Sequence, residues 1–386
     1  MLPLHKNLIP PATLLLFLAS LWNFDKSLLR KKGTLIITVY FFVIVSGYLW
    51  SNNKHNASFE IELNLSFLLY PLILVISNLD YKNIINNVLK SFLDGLLVSI
   101  VLAFINSAIQ YSISRNLDEF FYDGLTFFHH SSYLSMYACF GVAILYYWAF
   151  HPNKHRYISP TTNAIIIGLF SIFTLFLMSK MGILLMLLVH LYSIGFWIVK
   201  HNKVVIGLII LTSTITFLVL AFSFNTSLNN RFKELLTYNE GEVISESSSG
   251  ARIIAWQGCI ENFKAHPLIG VGTGDVNEAL NEYYMKSGHP TLALKSLNAH
   301  NQFLHTFVKQ GILGLVSLIL IIWVPLFMSD LKQESMRLYM AFIFVFLVSC
   351  LTESMLQTQS GIVFFAFFLT LFSLQKYPVS KVKDNA

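Results

Sequence analysis

The sequence predicts an all-α polytopic membrane protein with roughly eleven (10–12) transmembrane helices and one large extracytoplasmic loop that contains short helices. Three observations carry this. The chain of 386 residues is 55% hydrophobic and 12% charged, where soluble domains carry about 25% charged residues. Its apolar residues fall in runs of spanning length, with the positive residues between them. Phe alone contributes 34 residues, and mean hydropathy is +0.62. No water-soluble fold hides that much apolar surface, so the solvent is lipid.

A spanning helix needs roughly 20 apolar residues at about 1.5 Å rise each. Runs of this kind lie at 8–24, 34–50, 61–79, 93–111, 127–150, 162–179, 182–199, 204–222, 303–327, 338–354 and 360–375. No small-residue cleavage site follows the first run, which reads as a retained span. Cys139 and Cys350 fall inside runs and Cys259 falls outside them, a pattern of apolar filler rather than a disulfide framework.

Orientation follows from Lys and Arg. Lys26, Arg30, Lys31, Lys32, Lys82, Lys90, Lys154, Arg156, Lys200, Lys203, Lys332, Arg337, Lys376, Lys381 and Lys383 all fall on one side. The short connections of the other side hold Lys6, Lys54, Arg115 and Lys180. The positive-inside rule puts the richer side in the cytoplasm, the N-terminus outside and the C-terminus inside. The net charge of +6 is thus a topology signal. No basic stripe interleaved with aromatics occurs, and nucleic acid is set aside as a partner.

Residues 223–302 interrupt this rhythm as one long outward segment. They divide the chain into N-terminal spans (1–222), the loop (223–302) and C-terminal spans with a cytoplasmic tail (303–386). In the loop, Ser247-Ser248-Ser249-Gly250-Ala251-Arg252 reads as the start of a helix. Ile253, Trp256, Ile260 and Phe263 continue it at helical spacing. Pro267 ends it near Ala265-His266. Arg252 then falls in the first turn, against the helix dipole. That placement makes sense where Arg and helix N-terminus bind an anion together, although an exposed surface Arg is the plainer reading. The run His266-Pro267-Leu268-Ile269-Gly270-Val271-Gly272-Thr273-Gly274-Asp275 follows a helix, so it is no dinucleotide fingerprint. Its glycines suit a tight structural turn, or second an anion-binding nest.

Asn298-Ala299-His300-Asn301-Gln302-Phe303 leads directly into a span. His300 there is an interfacial or capping histidine, or a general base for a sugar hydroxyl. Met178-Ser179-Lys180-Met181-Gly182 is the outer tip of a tight hairpin over 162–199. Lys180 is a snorkelling lysine or a functional cation. Phe127-Phe128-His129-His130-Ser131-Ser132-Tyr133 reads first as an interfacial aromatic belt and second as a sugar-lining segment. No cluster has metal-ligand spacing, so no metal and no cofactor are expected. A transporter would need paired ionisable groups at mid-membrane. The spans offer Asp94, His190 and Glu353, with no evident partners in the sequence.

The succession Arg252…Trp256…His266-Pro267-Leu268-Ile269-Gly270-Val271-Gly272…His300-Asn301-Gln302-Phe303…Gly311-Ile312-Leu313-Gly314 resembles the central motif of the O-antigen ligase and polymerase superfamily, over roughly residues 250–315. The resemblance implies a metal-independent, inverting glycosyltransferase of the membrane-embedded GT-C type, in the inner (cytoplasmic) membrane of a bacterium with its site facing the periplasm. It implies transfer of a glycan from undecaprenyl diphosphate to lipid A-core. The alternatives are transfer to another repeat unit, as in an O-antigen or capsule polymerase, or to a protein. His300 matches the family's essential histidine, and Arg252 a loop arginine that binds the diphosphate. Lys180, in Ser179-Lys180-Met181-Gly182, stands where the family has a second arginine. It keeps the charge and loses the bidentate fork. Asn301, Trp256, Gly270 and Gly272 are expected to support the site.

Overall fold

The computed structural model describes residues 2–22, 34–77, 81–151, 158–201, 248–328 and 334–374. The expected span 204–222, the loop residues 223–247 and most of the basic connections lie outside the described residues. Among the described residues the regular structure is helical: α1 (Ile9–Trp22), α2 (Thr38–Ser46, entered through a 3-10 turn Thr34–Ile37), α3 (Lys54–Asn64), α4 (Ser66–Ile76), α5 (Tyr81–Ser114), α6 (Ser131–Phe150), α7 (Pro160–Phe176), α8 (Lys180–His201), α9 (Ser248–Ala265), α10 (Val276–Lys286), α11 (Pro290–Leu294), α12 (Gln302–Met328), α13 (Glu334–Cys350) and α14 (Gln359–Ser373). Five stretches are long and apolar enough to cross a membrane: Lys54–Ile76, Ile84–Ser114, Ser131–Phe150, Lys180–Val199 and Gln302–Trp323. Shorter apolar helices lie at Ile9–Trp22, Thr34–Ser46, Pro160–Phe176, Met336–Cys350 and Gln359–Ser373. Every expected apolar run except 204–222 overlaps one of these helices. The expected hairpin is α7–α8, with its tip at residues 177–179.

Local chemistry sets the helix starts. Ser159 caps α7, its Oγ accepting from the Thr162 N–H at 3.1 Å, with Pro160 as the first helical residue. Asn53 caps α3 in the same way, accepting from Asn56 N–H at 3.0 Å. His130 Nδ1 accepts from Ser132 N–H at 3.4 Å ahead of α6.

Contacts divide the chain into two compact units, interleaved in sequence. The first holds residues 1–95, 254–343 and 350–386; the second holds 96–253 and 344–349. The first is built on aromatic rings. Phe342 of α13 lies 5.4 Å from Phe364, 5.8 Å from Phe368 and 5.6 Å from Phe372, all on α14. Phe67 of α4 meets Phe365 edge-on at 6.0 Å and Tyr40 at 5.0 Å. Lipid removes most of the hydrophobic drive between helices, so packing must supply it. Offset and edge-to-face rings add about 0.5–1.5 kcal/mol per pair, which explains the use of so much phenylalanine.

In the second unit α6 is the enclosed helix, packed on α7 and α8. Ser135 approaches Gly182 so closely that a Cβ on Gly182 would lie 2.4 Å from the Ser135 Cβ. His190 of α8 bridges two neighbours, with Nδ1 2.8 Å from Tyr146 Oη and Nε2 2.9 Å from Ser171 Oγ. Ser171 Oγ donates to the Ile167 carbonyl at 2.7 Å, so it accepts from Nε2–H and Tyr146 donates to Nδ1. Asn163 Nδ2 adds a bond to the Leu145 carbonyl at 3.0 Å.

Candidate active site

The site region of the first unit begins with a broken helix. Within α12, Gln310 (φ −140°) and Gly311 (φ 57°) leave helical geometry. Such a break frees backbone groups that a membrane protein must satisfy elsewhere. The loop after α9 does so in both directions. Ile312 and Leu313 N–H groups donate to the Pro267 and Leu268 carbonyls at 2.9 and 3.3 Å. Val271 and Gly272 N–H groups donate to the Val308 and Lys309 carbonyls at 2.9 and 3.1 Å. Two glycines permit the approach. A Cβ on Gly270 (φ 69°) would lie 2.5 Å from the Gln310 nitrogen, and one on Gly311 2.5 Å from the Leu268 carbonyl carbon. The glycine run is thus the tight structural turn, its amides engaged by helix α12.

The same loop is pinned onward to the connection between α2 and α3. Asp275 accepts from the N–H groups of Asn52 and Asn53 at 2.6 and 2.7 Å. Thr273 Oγ1 donates to the Ile44 carbonyl at 2.6 Å, and Gly274 N–H to Ser51 Oγ at 3.0 Å. Gly272 (φ 115°) lies against Ser51.

His300 projects from the loop that enters α12, in the left-handed backbone region (φ 44°) that a β-carbon disfavours. Three neighbours hold it there. Asn298 Oδ1 accepts from the His300 N–H at 2.9 Å, and Trp256 Nε1 donates to the Ala299 carbonyl at 2.9 Å. Asn301 Oδ1 caps α12 at the N–H groups of Phe303 and Leu304, 3.0 and 3.1 Å away. Its Nδ2 reaches the Leu351 carbonyl at 3.1 Å.

The turn after α13 supplies the partner of the imidazole. His300 Nδ1 lies 3.2 and 3.3 Å from the two Glu353 oxygens. The Glu353 side chain is 9% exposed and that of His300 23%. A carboxylate only accepts, so paired with it Nδ1 carries the hydrogen and Nε2 keeps its lone pair. Gln302 locks the turn in place, its Oε1 accepting from Leu356 N–H at 2.6 Å. Gln357 bonds the His305 ring at 3.2 Å. Below these, Lys309 and Glu60 of α3 form a buried ion pair at 2.5 Å.

The other cations belong to the second unit. Lys180 is the first residue of α8, half-buried, behind a cap in which Ser179 Oγ accepts from Gly182 N–H at 3.2 Å. Met178 before it is left-handed (φ 49°). Arg252 is half-buried on α9. Helix α9 begins at Ser248, so Ser248 and Ser249 are helical rather than capping, and Arg252 lies in the second turn instead of the first. It ends at Ala265 as Pro267 demands. Ala251, Ile254, Ala255 and Cys259 are buried on it, Ile253 is half-buried and Ile260 is exposed. Tyr283 lies against Gly258 of the same helix. Burial pushes the Cys259 thiol up to about 12.

The intramembrane ionisable residues do have partners. Asp94 pairs with Lys90 at 2.6 Å, His190 sits between Tyr146 and Ser171, and Glu353 holds His300. Sequence reasoning missed Glu353 as a site residue and missed the Lys309–Glu60 pair altogether. An ionisable residue inside an apolar run was the available signal for Lys309. In the Phe127–Tyr133 segment, Phe127 is exposed and His129 and Tyr133 are buried. No group of three or more His, Cys, Asp or Glu suited to a metal ion occurs among the described residues.

Apolar helices joined by polar, tightly hydrogen-bonded connections define a multi-pass membrane protein with a histidine–carboxylate pair at the entry to one helix. Residues 163–319 match the family model described as O-Antigen ligase, which shows the resemblance to the O-antigen ligase and polymerase superfamily. That family implies ligase- or polymerase-type glycosyl transfer. An uncharacterized protein of Haemophilus influenzae is 29% identical over 130 residues, 33% of this chain and 32% of that protein. The chain thus spans about a third of the length of that curated relative.

Proposed function

We propose that the protein transfers a glycan from undecaprenyl diphosphate to an acceptor hydroxyl on the outer face of the bacterial inner membrane, and that the acceptor is a lipid A-core sugar. The observation that carries this reading is the His300–Glu353 pair at 3.2 Å. A carboxylate on Nδ1 fixes the tautomer and aims Nε2 as a base, the division of labour of a serine-protease triad without its serine. The acceptor hydroxyl gives its proton to Nε2 while its oxygen attacks the anomeric carbon. The bond from that carbon to the diphosphate oxygen breaks, the configuration inverts, and undecaprenyl diphosphate leaves. Arg252 and Lys180 neutralise the departing diphosphate. The leaving group is good, so neither strong acid catalysis nor a metal is required.

Reconstitution of purified protein with undecaprenyl-diphosphate glycan and lipid A-core tests this. Transfer to core by the wild type, without added metal, and none by His300→Ala, is the expected result. Lengthening of the glycan on its carrier instead would assign the polymerase reaction. Absence of both reactions from folded protein would overturn the reading in favour of a protein acceptor or of transport.

A further inference from the structure

In the first unit a cavity of about 450 Å³ opens between the N-terminal segment, α1, α4, α5 and α14. The function proposed above does not use it. Its lining residues on α4 and α14 lie near the middle of those helices, and neither His300 nor Glu353 lines it. Its volume falls in the usual range of ligand sites, about 300–1,000 Å³.

The polar groups of the wall are unevenly placed. On its wall, Tyr70 and Thr13 bond each other at 2.8 Å, and Thr13 Oγ1 donates to the Ile9 carbonyl at 2.9 Å. That wall is apolar in effect, completed by Phe367 and Phe368. Asn87 and Ser91 lie instead on the first three turns of α5. There the surface of α5 is polar, with Asn87, Lys90, Ser91 and Asp94 exposed. Further along it turns apolar, with Val98, Val101, Ile105, Ile109 and Ile113 48–74% exposed. Helix α5 has 34 residues, about 51 Å at 1.5 Å each, against about 30 Å of hydrocarbon. Its polar beginning therefore sits at the level of the lipid head groups.

The cavity has a polar mouth at head-group level and an apolar wall leading toward the hydrocarbon, and we infer that it binds one acyl chain of a membrane phospholipid, with the head group at Asn87 and Ser91. The polar-to-apolar gradient matches an amphiphile and no wholly polar ligand.

Native mass spectrometry of the full chain, purified in mild detergent, tests this. One phospholipid-mass adduct per chain is expected. Val88→Trp and Ala12→Phe fill the cavity and should lower its occupancy about tenfold, equivalent to about 1.4 kcal/mol, with elution and helical circular dichroism unchanged. In a second measurement, the wild-type chain in vesicles carrying a diazirine acyl phospholipid should be labelled on residues 9–16 and 84–92. An adduct retained equally by both folded variants, an adduct with the mass of a prenyl phosphate, or labelling without preference for those residues would overturn the proposal. The photolabel decides the question if neither variant folds.

Discussion

At the scale of single residues, the proposed chemistry rests on which nitrogen of His300 bears the hydrogen. Glu353→Gln keeps the shape and lets the amide donate, so it frees the other tautomer. Transfer by that variant should fall about 10²–10⁴-fold, the usual contribution of a positioned base, with acceptor KM little changed. A kcat equal to wild type would remove Glu353 from the mechanism. Lys180→Arg preserves the cation and should retain activity, whereas Lys180→Ala should raise KM for the diphosphate substrate. Cys259 gives a pH-dependent readout. Burial raises its thiol to about 12, so at pH 8 the reactive thiolate is scarce in the folded chain. Iodoacetamide should label it only after unfolding; rapid labelling of native protein at pH 8 would contradict its buried placement.

At the scale of elements, the break in α12 and the loop that repairs it form one device. Gly270→Ala places a Cβ 2.5 Å from backbone atoms and strains a left-handed residue. It should lower the unfolding temperature more than Gly168→Ala, which meets nothing within 4 Å. Equal shifts would mean that the loop does not dock. The ion pair of Lys309 and Glu60 links α12 to α3. Removing one partner of a buried pair costs about 3–5 kcal/mol, reduced here because Glu60 keeps 18% of its side chain exposed. Lys309→Met should therefore destabilise the protein more than the double variant Lys309→Met with Glu60→Leu. A double variant that is the less stable of the two would show that Glu60 without its partner costs nothing.

At the scale of the whole molecule, orientation is the quantity to measure. Ser287→Cys, on the exposed end of α10, should react with an impermeant maleimide added to spheroplasts. Lys90→Cys should react only after permeabilisation. The native cysteines are buried and give no background. The reverse pattern would invert the topology and place His300 in the cytoplasm.

Much of the architecture was legible because it is local. A run of apolar residues is driven into lipid by its own transfer free energy, whatever its neighbours, so 162–199 reads as a hairpin and α7–α8 is one. Pro267 stops α9 through its own ring, and that too needs no partner. His300 was singled out by its motif. Glu353 was not, because the two residues are 53 positions apart and no periodicity links them. Lys309 and Glu60 are 249 apart. The sequence by itself determined the apolar helical class and most helix positions, and it singled out the histidine on which the proposal rests. Tertiary structure alone decided the carboxylate behind it, the loop that satisfies the broken helix and the buried ion pair, since each depends on packing that brings distant segments within hydrogen-bond range.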